Sequence, residues 1–157
     1  MSLNEFSLPA PERGWWVEFP GEPVSKERVG RGFGHAYNPN VEDEENIRKN
    51  IIATFPHFQR QEPDREHIWG IRCLFYCSPQ GKRKPQSRLL PGKRRGNRKN
   101  RDTDNMLKLV KDAMNGLIWH DDSQVREDYV MLLTSDSPRT QLLFYWLPNG
   151  NPHGFPL

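Results

Sequence analysis

The 157-residue sequence is poor in the aliphatic and aromatic residues that build a large core, and it contains no long apolar run. Leu, Ile, Val and Phe account for 35 residues, about 22% of the chain, which is just above the range in which disorder is the default. The longest apolar run, 142–147, is far too short to span a bilayer. The N-terminus lacks a basic region followed by an apolar stretch, so we expect no secretory signal. We therefore expect neither a membrane protein nor a secreted protein, and the length favours one domain.

Cysteine is equally scarce, because Cys73 and Cys77 are the only two in the chain. Both lie in a segment with the alternation of a strand, in which about 3.3 Å per residue would place them roughly 13 Å apart. That separation is too large for a disulfide, and one CxxxC pair is a poor zinc motif. We therefore expect two buried thiols, which is typical of a reducing, cytoplasmic compartment.

Acidic residues are absent from 82–101, although ten of the 23 Lys and Arg residues lie there. The rest of the chain then holds 13 bases and 20 acids, a net charge of −7. Ten bases without an acid favour phosphate binding over a merely solubilising segment. Pro85, Pro91, Gly92 and Gly96 interrupt the segment, so 79–101 is predicted to be a mobile basic loop. Its expected DNA contacts are Lys82, Arg83, Lys84, Lys93, Arg94, Arg95, Arg98, Lys99 and Arg101.

Apolar periodicity predicts four strands and two helices within one domain, 14–147. The strands fall at 15–19, 68–78, 124–133 and 140–147, and the helices at about 40–55 and 104–115. The turn residues at 135–138 predict a hairpin between the last two strands, and the Gly-rich segment 21–37 predicts a turn and loop. We expect a flexible N-terminal tail, 1–13, and an irregular C-terminal tail, 148–157. This order of elements predicts an α+β fold, with one small mixed β-sheet and two main helices packed on it.

Acidic residues flank the second predicted helix. Asp102 and Asp104 precede it, Asp112 lies within it, and Asp121 and Asp122 follow it. A helix of twelve residues is roughly 18 Å long, so the flanking acids converge only if the chain doubles back, for which four extended residues offer roughly 13 Å. Gathered carboxylates repel one another unless a cation neutralises them. Oxygen ligands alone suit Mg²⁺ or Mn²⁺, and such an ion could activate water against a phosphodiester.

Lys108 lies one helical turn beyond Asp104 and would point to the same site. It could stabilise negative charge that develops on a phosphate, or it could pair with Asp104 or Asp112. Structural interpretations remain open as well, since Asp104 could be only a helix N-cap and the two acids at 121–122 could form a solvated turn. Trp119 and His120 are expected to be a packing residue and a surface residue, respectively.

Three short segments resemble the signature of the RusA family of Holliday-junction resolvases. In that family an Asp-x-Asp-Asn segment leads into a helix that bears a Lys, and Asp-Ala-Leu-Asn-Gly and Asp-Asp-x-Gln-Ile segments follow. The corresponding runs here are Asp102-Thr103-Asp104-Asn105, Asp112-Ala113-Met114-Asn115-Gly116 and Asp121-Asp122-Ser123-Gln124-Val125. A weaker match covers 25–28 and 34–39, although Val29-Gly30 stands where the family usually has Pro-Arg. This match implies DNA contacts at Lys26 and Arg28.

The resemblance, which extends from about Trp15 to Tyr145, implies a small homodimeric endonuclease, mostly known from phages and prophages. Such an enzyme cuts four-way DNA junctions with Mg²⁺, for which Mn²⁺ is a plausible substitute. The resemblance implies metal-binding, catalytic roles for Asp102, Asp104 and Asp122, with Lys108 as the catalytic lysine. Asp112 and Asp121 fall on motif positions that we regard as secondary.

Two other functions fit part of the pattern. One is a generic branched- or flap-DNA nuclease with the same metal chemistry, and the other is a non-catalytic DNA-binding protein of the same fold. Acids facing a polyanion favour an enzyme, because a pure binding protein gains nothing from them. A homodimer would match the two-fold symmetry of a four-way junction, and its apolar interface could come from the strand at 69–77 or the strand at 140–147.

Overall fold

Two helices pack on a four-stranded mixed sheet in the computed structural model, which describes residues 13–26, 30–32, 35–79 and 102–147. The predicted tails and the basic loop at 79–101 fall almost entirely outside these residues. Within them the α+β fold and the single mixed sheet are confirmed. The elements in chain order are β1 (Gly14–Pro20), β2 (Gly30–Gly32), β3 (His35–Tyr37), α1 (Val41–Thr54), α2 (His57–Arg60), β4 (Ile68–Cys77), α3 (Thr103–Met114), a 3₁₀ turn (Asp122–Gln124), β5 (Val125–Thr134) and β6 (Arg139–Leu147).

The strands of the sheet lie in the order β1-β6-β4-β5. β6 is antiparallel to both β1 and β4, whereas β5 is parallel to β4. The predicted hairpin between the last two strands is therefore wrong, because β4 separates them. The turn at 135–138 carries the chain past the end of β4, where the Ser135 N–H donates to the Cys77 carbonyl at 2.9 Å. Turn residues show where a chain reverses, but they do not show which strands pair.

Two short features were absent from the sequence prediction. β2 and β3 pair as a small antiparallel ribbon inside the segment that we expected to be only loop. Three-residue strands are too short for alternation to reveal them. The single-turn helix α2 follows Pro56, which ends α1 as the sequence predicts.

The core lies between one face of the sheet and the helices α1 and α3. The apolar stripes predicted for the helices are buried there, with Ile47 and Ile51 from α1 and Met106 and Val110 from α3. Alternate residues of β4 meet them, namely Trp69, Ile71, Cys73, Phe75 and Cys77. The expectation of buried thiols is confirmed, since both cysteines are free and buried. Burial raises the pKa of Cys73, so its thiol is protonated and unreactive.

The opposite face of β4 is also buried. The Arg72 guanidinium lies over the rings of Tyr145 at 4.8 Å and Tyr129 at 5.8 Å, and Leu74 has no exposed surface. Gly70 is required beside Tyr145, because a Cβ atom at this position would lie 2.3 Å from the tyrosine ring.

The predicted sources of a dimer interface do not offer exposed apolar faces. β4 and β6 are interior strands, and nearly all of their apolar side chains are buried. The exposed large apolar side chains among the described residues lie elsewhere, at Trp16, Val24, Val41 and Leu132. No helix in the described part of the chain is long and apolar enough to cross a membrane.

Candidate active site

Helix α3 begins where the first acidic motif caps it. The Asp102 carboxylate accepts hydrogen bonds from the Asp104 backbone N–H at 3.0 Å and from the Asn105 side-chain amide at 3.1 Å. The N-cap is therefore Asp102 and not Asp104, which answers one alternative left open by the sequence. Asp104 lies in the first turn with an exposed side chain. Its negative charge there interacts favourably with the helix dipole.

A sharp reversal follows α3. Gly116 adopts a left-handed conformation, with φ of +74°, and its N–H donates to the Trp119 carbonyl at 2.8 Å. The buried Trp119 ring donates to the Asn115 side-chain oxygen at 2.8 Å, whereas the next residue, His120, is exposed. The expected roles of Trp119 and His120 are thus confirmed. The reversal sends the chain back toward the helix and the pocket that α3 lines.

One pocket of about 290 Å³ gathers charged side chains from three elements. α3 contributes a single face, with Asp104, Lys108 and Lys111 at positions i, i+4 and i+7 and with Leu107 between them. The remaining lining residues are Asp122 of the 3₁₀ turn and Asp128 of β5. The structure thus brings Asp104, Lys108 and Asp122 to one site. Asp102 precedes the pocket residue Asp104 by two positions, but it is not among the residues that line the pocket.

The two acids of the second motif have different environments. Asp121 caps the 3₁₀ turn by accepting from the Ser123 N–H at 3.2 Å, in a reciprocal capping box with Gln124. Hydrogen bonds from Ser123 hold the pKa of Asp121 below its ordinary value. Asp122 faces the pocket, and its carboxylate has no hydrogen bond or ion pair with any residue of the described ranges. Asp121 therefore shapes the turn, whereas the Asp122 carboxylate faces the pocket without a partner among the described residues.

Two pocket residues were not identified from the sequence. The Lys111 ammonium donates to the Asp128 carboxylate at 3.0 Å, so these charges compensate each other. Helical spacing from Asp104 through Lys108 could have indicated Lys111. Asp128 could not have been found in this way, because its place depends on the parallel pairing of β5 with β4.

Lys108 remains an uncompensated cation within the described structure. It forms no ion pair with Asp104 or Asp112, which the sequence left open. The Asp112 carboxylate instead pairs with the ammonium of Lys26. An unpaired ammonium beside two unpaired carboxylates is the arrangement expected where a phosphate and a cation are to be bound.

Lys26 has a structural role, because its side chain and its backbone both bond to α3. Besides its ion pair with Asp112, its backbone N–H donates to the Asn105 carbonyl at 3.2 Å. These bonds hold the strap, which we define as residues 21–26, against α3. The other predicted DNA contacts lie outside the described residues; they are Arg28, Lys82, Arg83, Lys84, Lys93, Arg94, Arg95, Arg98, Lys99 and Arg101.

The donor chemistry of the pocket fits a hard divalent cation. Asp104 and Asp122 offer carboxylate oxygens from two elements, and neither is engaged by a described cation. No group of three or more His, Cys, Asp or Glu residues among the described ranges is close enough to form a complete protein cage. Mg²⁺ does not need such a cage, because it typically binds one or two carboxylates, substrate phosphates and water.

An acidic pocket with an uncompensated lysine, on a small α+β fold interrupted by a basic segment, fits a phosphodiester-cleaving nuclease. The sequence matches the family described as endodeoxyribonuclease RusA over residues 20–143, which is most of the chain. The protein belongs to this family. It is therefore an endodeoxyribonuclease that hydrolyses phosphodiester bonds in Holliday junctions, in a family that is generally metal-dependent. No individual curated protein matches the chain.

Proposed function

We propose that this protein resolves four-way DNA junctions by Mg²⁺-dependent hydrolysis at the pocket between α3 and the 3₁₀ turn, with Mn²⁺ as a competent substitute. The observation that carries the proposal is the meeting of Asp104, Lys108 and Asp122 in one pocket. These residues come from two elements separated by a chain reversal, and none has a charged partner among the described residues.

The pocket residues divide the chemistry between them. Asp104 and Asp122 would hold the cation, and the family motif supports Asp102 as a third ligand, because a capping carboxylate keeps lone pairs for another partner. When bound, a divalent cation supplies Lewis acidity and lowers the pKa of water. The Lys108 ammonium stabilises the negative charge that develops on the phosphate. Asp128 neutralises Lys111 at 3.0 Å, which leaves Lys108 as the cation available to the substrate.

Junction binding requires cations beyond the pocket. We propose that Arg28 and the basic residues between 82 and 101 contact the phosphate backbone, since ten Lys and Arg residues without an acid favour that partner. Lys26 does not fit this role, because its charge is compensated by Asp112. Asp121 and Asp112 are proposed to maintain the site rather than to react.

We further propose that the protein acts as a homodimer and makes paired, symmetric nicks. A four-way junction has two-fold symmetry, and two identical subunits related by a two-fold axis would place one pocket at each of two equivalent strands. We also propose a cytoplasmic location, which the two free, buried cysteines favour, and a phage or prophage origin, which the resemblance to the family implies.

A cleavage assay tests the proposal directly. A synthetic four-way junction, labelled on each strand in turn, is incubated with the protein in Mg²⁺, in Mn²⁺ and in EDTA, and the products are separated on denaturing gels. We expect cuts at symmetric positions on two opposing strands with either metal, none in EDTA, and none with Asp122→Asn. A flap and a plain duplex are the comparison substrates. Equal cleavage of the flap would favour the generic branched-DNA nuclease, and metal-independent cleavage would contradict the proposed chemistry.

A further inference from the structure

Asp64 organises the loop before β4 through its side chain. Its carboxylate accepts three hydrogen bonds, from the His67 backbone N–H at 2.9 Å, from the His67 ring at 2.8 Å and from the Trp69 indole at 3.0 Å. The His67 ring stacks on Trp146 with the centroids 3.8 Å apart. Burial alone would raise the pKa of Asp64, but the hydrogen bonds from His67 and Trp69 hold it below its ordinary value. Asp64 is thus an ionised acceptor fixed against β4 and β6.

The backbone of this loop is hydrogen-bonded to the reversal that follows α3. The Asp64 N–H donates to the Ile118 carbonyl at 2.9 Å, and the His120 N–H donates to the Asp64 carbonyl at 2.9 Å. These two bonds hold the chain just before Asp122. They form a short ladder between the loop and the reversal, centred on Trp119.

Gln124, which follows Asp122 in the chain, is hydrogen-bonded to the same loop. Its side-chain N–H groups donate to the carbonyls of Asp64 at 3.0 Å and His67 at 3.1 Å. Its side-chain oxygen accepts from the backbone N–H groups of His120 at 2.9 Å and Asp121 at 3.1 Å. Asp122 therefore lies between two attachment points on one loop.

We propose that Asp64 is a positioning residue for Asp122, so that the carboxylate of the loop sets the place of the pocket acid without touching the substrate. The proposal rests on the proposed function in placing Asp122 in the catalytic pocket. Asp64 lies outside the family motif quoted above, and its backbone bonds to Ile118 and His120 attach the reversal to a loop that is distant in sequence. Asparagine offers one accepting oxygen where the carboxylate offers two, and it removes the negative charge from these bonds, so Asp64→Asn should weaken the anchoring of the loop.

The test compares Asp64→Asn with Glu66→Gln, which removes a charge from an exposed position of the same loop. Junction affinity is measured in Ca²⁺ and cleavage in Mg²⁺ under single-turnover conditions. Because small displacements of catalytic groups cost up to about a hundredfold in rate, we expect the Asp64→Asn rate to fall about ten- to a hundredfold. Its junction affinity should stay within about twofold, and Glu66→Gln should match the wild type in both.

Hydrogen exchange supplies a readout that does not depend on cleavage. In Asp64→Asn the amides of 118–124 should exchange faster than in the wild type, while those of β4 and α3 stay protected. If the Asn variant does not fold, Gln124→Met is the alternative variant. It removes the Gln124 hydrogen bonds to Asp64 and His67 and should give the same rate loss and exchange pattern. Wild-type cleavage by Asp64→Asn, or unchanged exchange at 118–124, would overturn the positioning role. A wild-type protein that cuts no junction would refute the proposed function, and the exchange measurement would still decide the role of Asp64.

Discussion

Neighbouring residues of one motif have separate duties at this site. Asp121 is tied into the backbone of the 3₁₀ turn, whereas Asp122 faces the pocket without a partner in the described structure. The sequence alone could not distinguish the roles of these two residues, because both are aspartates at adjacent positions. The distinction comes from the capping geometry, which uses the Asp121 carboxylate and leaves the next one exposed to a ligand.

Replacing Asp122 should separate chemistry from folding. Asp122→Asn removes one negative charge from a pocket of acids, so we expect single-turnover junction cleavage to be lost, since a cation would lose a ligand. Metal-free thermal stability should hold or rise as like-charge repulsion falls, and added Mg²⁺ should stabilise the variant less than the wild type. Melting curves and cleavage rates from one preparation check both effects.

Asp121→Ala is the matched control for that experiment, because it removes an acid one position away. It should lower metal-free stability through loss of the cap. Normal cleavage together with lowered stability in Asp122→Asn would instead show that Asp122 is the structural acid.

The lowered pKa of Asp64 predicts how its contribution to stability depends on pH. An acid whose pKa is lowered by folding stabilises the protein above its unfolded-state pKa, about 3.9, and this contribution is lost as the pH falls through the folded-state value. The wild type should therefore be more stable than Asp64→Asn at pH 7 and at pH 5, by a margin that shrinks below about pH 4. Urea denaturation at several pH values measures the margin. A difference that stays constant into strong acid would mean that Asp64 does not titrate as a stabilised carboxylate.

At the scale of the elements, the strap links the N-terminal part of the chain to the regions on either side of the basic segment. Glu22 accepts from the Ser78 hydroxyl at 2.7 Å, next to the end of β4, and Lys26 pairs with Asp112 of α3. β4 precedes the basic segment and α3 follows it. The strap therefore fixes the two elements from which the segment departs and to which it returns.

A double-mutant cycle on Lys26 and Asp112 should reveal this link. Both side chains are mostly buried, so Lys26→Met and Asp112→Asn should each destabilise the protein and show a coupling of about 0.5–3 kcal/mol in urea denaturation. Lys49→Met, on the exposed face of α1, is the control and should change little.

The same Lys26 variant addresses its expected DNA contact. Lys26→Met should leave the salt dependence of junction binding unaltered, whereas loss of a phosphate contact would reduce the slope by about 0.9. A reduced slope would show that Lys26 contacts a DNA phosphate after all.

Local patterns in the sequence predicted the elements well and their arrangement only in part. Alternation located β1 and β4, and helical spacing located α1 and α3, because these periods record which side of an element is buried. The motif residues led to Asp104, Lys108 and Asp122 in the pocket. Lys111 was missed although helical spacing could have indicated it, whereas Asp128 and the contacts of Asp64 and Gln124 could not be predicted, because they join segments far apart in sequence. The wrong hairpin has the same origin, since strand pairing is a long-range property.

At the scale of the whole molecule, the prediction concerns the oligomeric state. We expect a homodimer, because the proposed substrate presents two equivalent strands to two equivalent pockets. Light scattering at micromolar concentration, with and without a four-way junction, gives the mass directly. Exposed Trp16 and Leu132, on the two outer strands, are the described positions where Glu substitutions are most suited to disturb an interface. A single copy of the chain both free and on the junction would contradict the expectation.

The central place of β6 has a consequence for how the protein is made. β6 is the last strand of the described residues, yet it lies between β1 and β4 and is hydrogen-bonded to both. At about 5–20 residues per second, translation reaches β6 roughly 6–25 s after finishing β1. β1 lacks its neighbour throughout that interval, and β4 lacks its neighbour from its own synthesis until β6 is made, which is the condition that invites aggregation. A nascent chain that stalls before Arg139 therefore exposes the edges of β1 and β4 that β6 would pair, and the four-stranded sheet forms only when β6 is made.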